Sequence, residues 1–180
     1  MSDKLDIDLS AEMLINYELG KSDENFTLGT ASDNTLLAST LVTQARQSLV
    51  LLTRELDPKI YDTQAFIEAV KSLALRGRRS EIRILAHYPV KAMRRGHRLL
   101  HLQKRLSSFI SVKKIHKDYS EYNEAFLVAD QQGYIHRQDA SRFDGIANFY
   151  APIRCRELLK TFDDIWDKSE PDPELWQLKI

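Results

Sequence analysis

Residues 48–53, SLVLLT, form an apolar run with no polar alternation inside it. Such a run is what a strand buried on both faces requires. EIRILAHY (81–88) and FISVKKI (109–115) are further strand-like runs, and the stretches between carry apolar residues at helical spacing. Leu37, Leu41 and Ala45 follow Ser32 as a helix N-cap. Phe66, Val70 and Leu73 follow Asp62 as another cap, with Gly77 as the stop. PVKAMRRGHRLLHLQKRL (89–106) reads as one helix opened by Pro89. AFLVAD, QQG and YIHR read as a hairpin. Short strands are expected at 25–29 and, at an edge, 147–150. A last helix over 153–167 buries Cys155, Leu158, Leu159, Phe162, Ile165 and Trp166. Strands alternating with helices predict an α/β fold: a mixed, mostly parallel sheet with helices on both faces.

At 180 residues the chain makes one domain with a sizeable core. Its composition divides it into an acidic, loosely attached arm (1–24), the α/β domain (25–170) and a C-terminal tail (171–180). No run reaches the ~18 apolar residues of a membrane span. The start lacks a basic-then-apolar signal, and the single cysteine, Cys155, excludes an internal disulfide. The expected compartment is the cytoplasm. Charge is balanced overall but not locally: residues 76–117 hold 13 of the 26 Lys and Arg and one acid, Glu81, whereas residues 1–36 and 118–180 are acidic. Such a segment suits phosphate, nucleic acid or an acidic partner, unless the chain's own acidic ends cover it.

From about Thr35 to Ser169 the chain resembles one half of a phospholipase D-like domain. LRGRRSEIRILAHY is similar to that superfamily's basic helix end and inner strand, and LLKTFDDIW to its closing helix. The superfamily's strand motif is H-x-K-x4-D. Laid on it, NEAFLVAD puts Asn123 at the nucleophilic histidine, Ala125 at the phosphate-binding lysine and Asp130 at the aspartate. RQDA (137–140) falls on G-S-x-N, and RFD (142–144) keeps only an acid where N-x-E belongs. The chain also resembles small bacterial proteins that carry this half-domain in degenerate form. An amide is no nucleophile, and a methyl group cannot neutralise equatorial phosphoryl oxygens. The resemblance therefore implies a binding module without phosphodiesterase activity. Active members use two halves for one site, which implies a homodimer here.

Two groups of candidate residues follow. On a single helix, Arg94, Arg98, His101 and Arg105 share one face. With Arg95 beside them and Lys113 and Lys114 on the next strand, they would form an anion-binding strip. Arg54, Glu55, Asp57 and His87 lie at the carboxyl ends of strands, where open sheets bind ligands. With Asn123, Asp130 and Arg137 they outline a vestigial cleft, although loop capping would account for several of them, and ADQQG is good turn chemistry for Asp130. His97 and His101 have metal-ligand spacing, but Arg98 replaces the glutamate of H-E-x-x-H, and the surrounding arginines would repel a dication. No metal or cofactor is expected. The functional expectation is a regulatory module engaging an anionic partner through residues 76–117. The alternatives are a protein-interaction domain and a hydrolase with a displaced site.

Overall fold

The computed structural model describes residues 9–177. Seven strands form one sheet: β1 (Phe26–Leu28), β2 (Ser48–Thr53), β3 (Glu81–Ala86), β4 (Ile110–Lys114), β5 (Ala125–Ala129), β6 (Gly133–Arg137) and β7 (Gly145–Asn148). Their order is β1-β7-β6-β5-β2-β3-β4. The run SLVLLT is the central strand, β2, and its residues 49–53 are all buried. Leu49 and Leu51 enter one core layer, Val50 and Leu52 the other.

The expected balance of the sheet needs correction. Only β2–β3 and β3–β4 pair in parallel; the other four pairings are antiparallel. Strand–helix–strand units build the parallel half. The hairpin β5–β6 and the return through β7 reverse the other half. The strand near residues 147–150 is not an edge: β7 lies between β6 and β1, and β1 takes the edge.

Helices α1 (Ala11–Leu14), α2 (Ala31–Gln44), α3 (Pro58–Tyr61), α4 (Gln64–Arg76), α5 (Pro89–Arg94), α6 (Arg98–Arg105) and α8 (Pro173–Gln177) contribute to the Leu49/Leu51 layer. Helix α7 (Pro152–Lys168) covers the other face with Cys155, Leu158, Phe162 and Ile165. Helix α2 is capped by Thr30, not Ser32, through a capping box with Asp33. Helix α4 is capped by Thr63, not Asp62.

The segment 89–106 is two helices rather than one. Gly96, at φ 77°, ends the first, and His97 Nδ1 caps the second by accepting from Leu99 N. The expectation of a loose arm fails for residues 9–24. Leu14 is buried, the Tyr17 ring meets Phe26 edge-on at 4.8 Å, and the Gln44 side chain bridges Leu19 N and Tyr17 O. Residues 1–8 of that arm and 178–180 of the tail lie outside the described residues. The tail's Leu175 is buried in the same core layer.

Candidate functional site

At one end of the sheet the carboxyl ends of β2, β3 and β6 meet the start of β5. Arg54 follows β2, and its carbonyl accepts from His87 N and Tyr88 N just past β3. Its guanidinium lies 5.7 Å from the centre of the Tyr88 ring and reaches Asn123 Oδ1 at 3.4 Å. Asn123 Nδ2 donates to Asp139 Oδ1 at 3.0 Å. The Ser141 hydroxyl and N–H also donate to Asp139, and these bonds hold its carboxyl below the usual carboxylate range. His87 Nε2–H donates to Tyr122 O, and burial lowers the affinity of this imidazole for a second proton.

Arg137 lies directly across from Ala125 and is only 1% exposed. The missing side chain at Gly145 makes room for it, since a Cβ there would stand 2.9 Å from Arg137 Cγ. Nη1 donates to Arg142 O at 2.8 Å, while Nη2 has no partner among the described residues. The positive charge that the resemblance places at residue 125 is thus found on the neighbouring strand. There it fastens the loop 138–144.

The structure brings Arg54, His87 and Asn123 together, with Arg137 buried on the neighbouring strand, and separates the other cleft candidates. Glu55 pairs with Lys91 at 2.8 Å, which keeps its carboxyl ionised below the usual range. Asp57 caps α3 by accepting from Lys59 N. Asp130 sits at the far end of β5, roughly 20 Å of strand from Asn123. Its carboxylate accepts from the N–H groups of Arg46, Gln47 and Ser48 at 2.7, 2.8 and 2.9 Å. It is a structural clasp outside the cleft, in keeping with the turn reading.

On the opposite sheet face a polar group escapes the sequence reading. His136 Nε2 meets Glu124 Oε2 at 2.7 Å, Tyr122 donates to the same oxygen, and Arg154 Nη2 approaches His136 Nδ1 at 3.2 Å. A guanidinium only donates, so Nδ1 is the acceptor and Nε2–H donates to Glu124. Neither nitrogen is open to attack an electrophile. A cleft of about 490 Å³ adjoins this group, lined by Thr27, His136, Gln138, Asp139, Arg142 and Asp144 among others. The available signal was Glu124 immediately before the apolar β5, and His136 next to Arg137 in the β6 strand that pairs with it.

The basic strip is not assembled as expected. The break at Gly96 removes the continuous helix face. Arg94 pairs with Glu174 at 3.0 Å and Lys114 with Asp172 at 3.9 Å, both from the acidic C-terminal segment. Lys113 donates to Trp166 O and lies 4.4 Å from the centre of its ring. Arg98 is spent on Asp62 and Gln64. Arg95 stands near Glu55, and His101 is half-buried. Arg105 is exposed, at the other end of the sheet. His97 is buried and turned to Leu56 O, so it cannot share a metal with His101. Among the described residues no three His, Cys, Asp or Glu side chains are grouped to hold a metal ion, and no helix is long and apolar enough to cross a membrane.

This sheet, with its parallel half, hairpin and single covering helix α7, is a phospholipase D-like fold in one half-unit. The archaeal chromatin protein TrmBL2, whose structure "shows a novel mode of DNA binding", superposes with a TM-score of 0.64 at 11% identity over 89% of this chain. This chain spans 58% of that one. The phospholipase D family member Nuc from Salmonella typhimurium gives 0.61 at 10% identity, covering 82% of this chain and 97% of its own. NucT from Helicobacter pylori gives 0.61 at 12%, covering 83% and 98%. At such identities the likeness is one of fold. No curated protein matches the chain. The chain belongs to the family DUF7931, a domain of unknown function, whose model matches residues 30–178.

Proposed function

We propose that this chain is a non-hydrolytic phospholipase D-like domain that holds nucleic acid by its phosphates. The observation that carries the non-hydrolytic part is the setting of residue 123. Its amide is occupied on both atoms, by Arg54 and by Asp139, and it has no lone pair fit to attack phosphorus. Ala125 offers no charge to the equatorial oxygens, and Arg137 is engaged with the carbonyl of Arg142. His136, the nearest alternative nucleophile, has both ring nitrogens occupied. For the binding part, half of the basic charge is concentrated in residues 76–117, and a structure of the same fold belongs to a DNA-binding chromatin protein.

The test incubates the purified protein with bis(p-nitrophenyl) phosphate and with labelled duplex DNA at about 50 mM salt, where non-specific binding is strongest. The expected result is binding by fluorescence anisotropy and no nitrophenol above the blank. Turnover that follows the protein through a second column and is lost in Asn123→Ala or His136→Ala would overturn the non-hydrolytic reading. Absence of binding at that salt would overturn the nucleic-acid reading and leave a protein-interaction domain.

A further inference from the structure

Of the exposed arginines that no hydrogen bond or ion pair among the described residues neutralises, four share one end of the molecule, and only Arg105 among them belongs to the predicted strip. They gather at the opposite end of the sheet from the phospholipase D-like cleft. Strands β2, β3 and β4 are parallel neighbours, so their amino ends lie side by side, with Ser48 across from Glu81 and Ile82 across from Ile110. The segments leading into them are tied together: Glu81 N donates to Gln47 O at 2.9 Å, and Ile82 N to Phe109 O at 2.8 Å. Those three segments carry Arg46, then Arg78 and Arg79, then Arg105, all exposed. Among the described residues, none of these four guanidiniums has a hydrogen-bond or ion-pair partner.

Their neighbours are otherwise occupied. Arg76 spends its guanidinium on the carbonyls of Ala45 and Thr43, closing the carboxyl end of α2. Asp130 spends its carboxylate on the N–H groups of residues 46–48. Glu81 is the one acid within the three segments. The Ser80 hydroxyl, in the middle segment, is buried and has no hydrogen-bond partner among the described residues.

We infer that the amino ends of β2, β3 and β4 form a backbone-binding surface for duplex nucleic acid. This rests on the nucleic-acid reading above and gives it a location that the fold's own cleft does not suggest. Adjacent strands lie about 4.8 Å apart, so the three segments span roughly 10 Å, the rise over which one strand of a duplex presents about three phosphates. Guanidiniums match phosphate oxygens in pairs. No exposed aromatic side chain lies in the three segments, so unpaired bases would find nothing to stack on. Leu75 is the one exposed large apolar residue bordering the surface, too little to insert into a bilayer.

Anisotropy titrations of a mixed-sequence duplex between about 50 and 200 mM salt test this. Four phosphate contacts give a log–log slope of about −3.6, and Arg78→Ala/Arg79→Ala/Arg105→Ala should flatten it by about 2.7. The corresponding Lys triple variant should keep most of the slope, because it keeps the charge. Arg94→Ala/Lys114→Ala, which removes two paired cations, should leave the slope unchanged. Unfolding midpoints confirm that each variant is folded. Should the wild type bind the duplex while the Ala triple variant keeps its slope, the inference falls and the nucleic-acid reading stands. Should the wild type bind no duplex, both fall. Retention on anionic phosphatidylserine vesicles but not on duplex would also overturn it, in favour of a lipid surface.

Discussion

Asp130 shows how a residue kept at a motif position can serve the fold alone. It sits in the left-handed region at φ 51°, which aspartate tolerates better than most residues. From there its carboxylate gathers three consecutive backbone N–H groups that no sheet neighbour takes. Removing the carboxylate leaves those donors to solvent and loosens the start of the central strand. Asp130→Ala should lower stability by about 2–4 kcal/mol, and Asp130→Asn, which keeps one acceptor, by less. Urea unfolding midpoints measure both. Neither change should alter the salt dependence of DNA binding, and a change there would link this clasp to the binding surface. Cys155 is the opposite case, a residue whose chemistry the fold suppresses. Fully buried on α7, its thiol is pushed up to about 12 by loss of solvent, and it serves as a small apolar side chain.

At the scale of elements, a glycine decides how the antiparallel half closes. Gly145 opens β7 where Arg137 crosses from β6. A Cβ there would meet His136 O at 2.7 Å and Arg137 Cγ at 2.9 Å. Backbone cannot yield as a side chain can, so Gly145→Ala should cost roughly 1–3 kcal/mol and raise protease cleavage in the 138–144 loop. Equal cleavage in the variant and wild type would refute the close approach. The central strands were legible in the sequence because their signal is local: SLVLLT, EIRILA and AFLVA read as buried strands, and QQG as their turn. What sequence could not show depends on distant partners. The insertion of β7 between β6 and β1 is set by packing across more than 100 residues, as in the pairing of Phe26 with Ala147. The break at Gly96 was written in RRGH, but an unbroken apolar period outweighed it. The strip failed for a similar reason. Helical spacing gathers Arg94, Arg98 and Arg105 on one face, while Glu174 and Asp62, which occupy two of them, come from distant segments. Arg54 and His87 were legible because the carboxyl ends of parallel strands converge in such a sheet, whereas Asn123 came from its place on the phospholipase D-like strand motif.

At the scale of the whole molecule, two buried histidines set how the fold responds to acid. His87 is held beneath the cleft and His97 between α3 and α6, both nearly buried. Burial is the largest cause depressing each imidazole below its ordinary 6.5. Arg54 adds to it at His87, and Arg98 and His101 at His97, against the opposing pull of Asp62 on His97 and of a carbonyl bond on each. His97 also has no room for a second proton, since Nδ1 already accepts from Leu99 N while Nε2–H serves Leu56 O. As pH falls through 6.5 the unfolded chain takes up protons that the native imidazoles refuse. The unfolded state then binds more protons than the native one, so stability drops as pH falls and is flat on the alkaline side of that window. Each imidazole contributes at most about 1.4 kcal/mol per pH unit. Urea unfolding at pH 8, 7, 6 and 5 should show a level response between 8 and 7 and a decline below 6.5. The double variant His87→Gln/His97→Asn, which keeps a capping acceptor at residue 97, should be less stable at pH 8 but decline less between 7 and 5. Carboxylates titrate lower and are common to both proteins, so they cancel in the comparison. An unchanged decline in the variant would mean that these two imidazoles take up protons in the native fold as readily as in the unfolded chain.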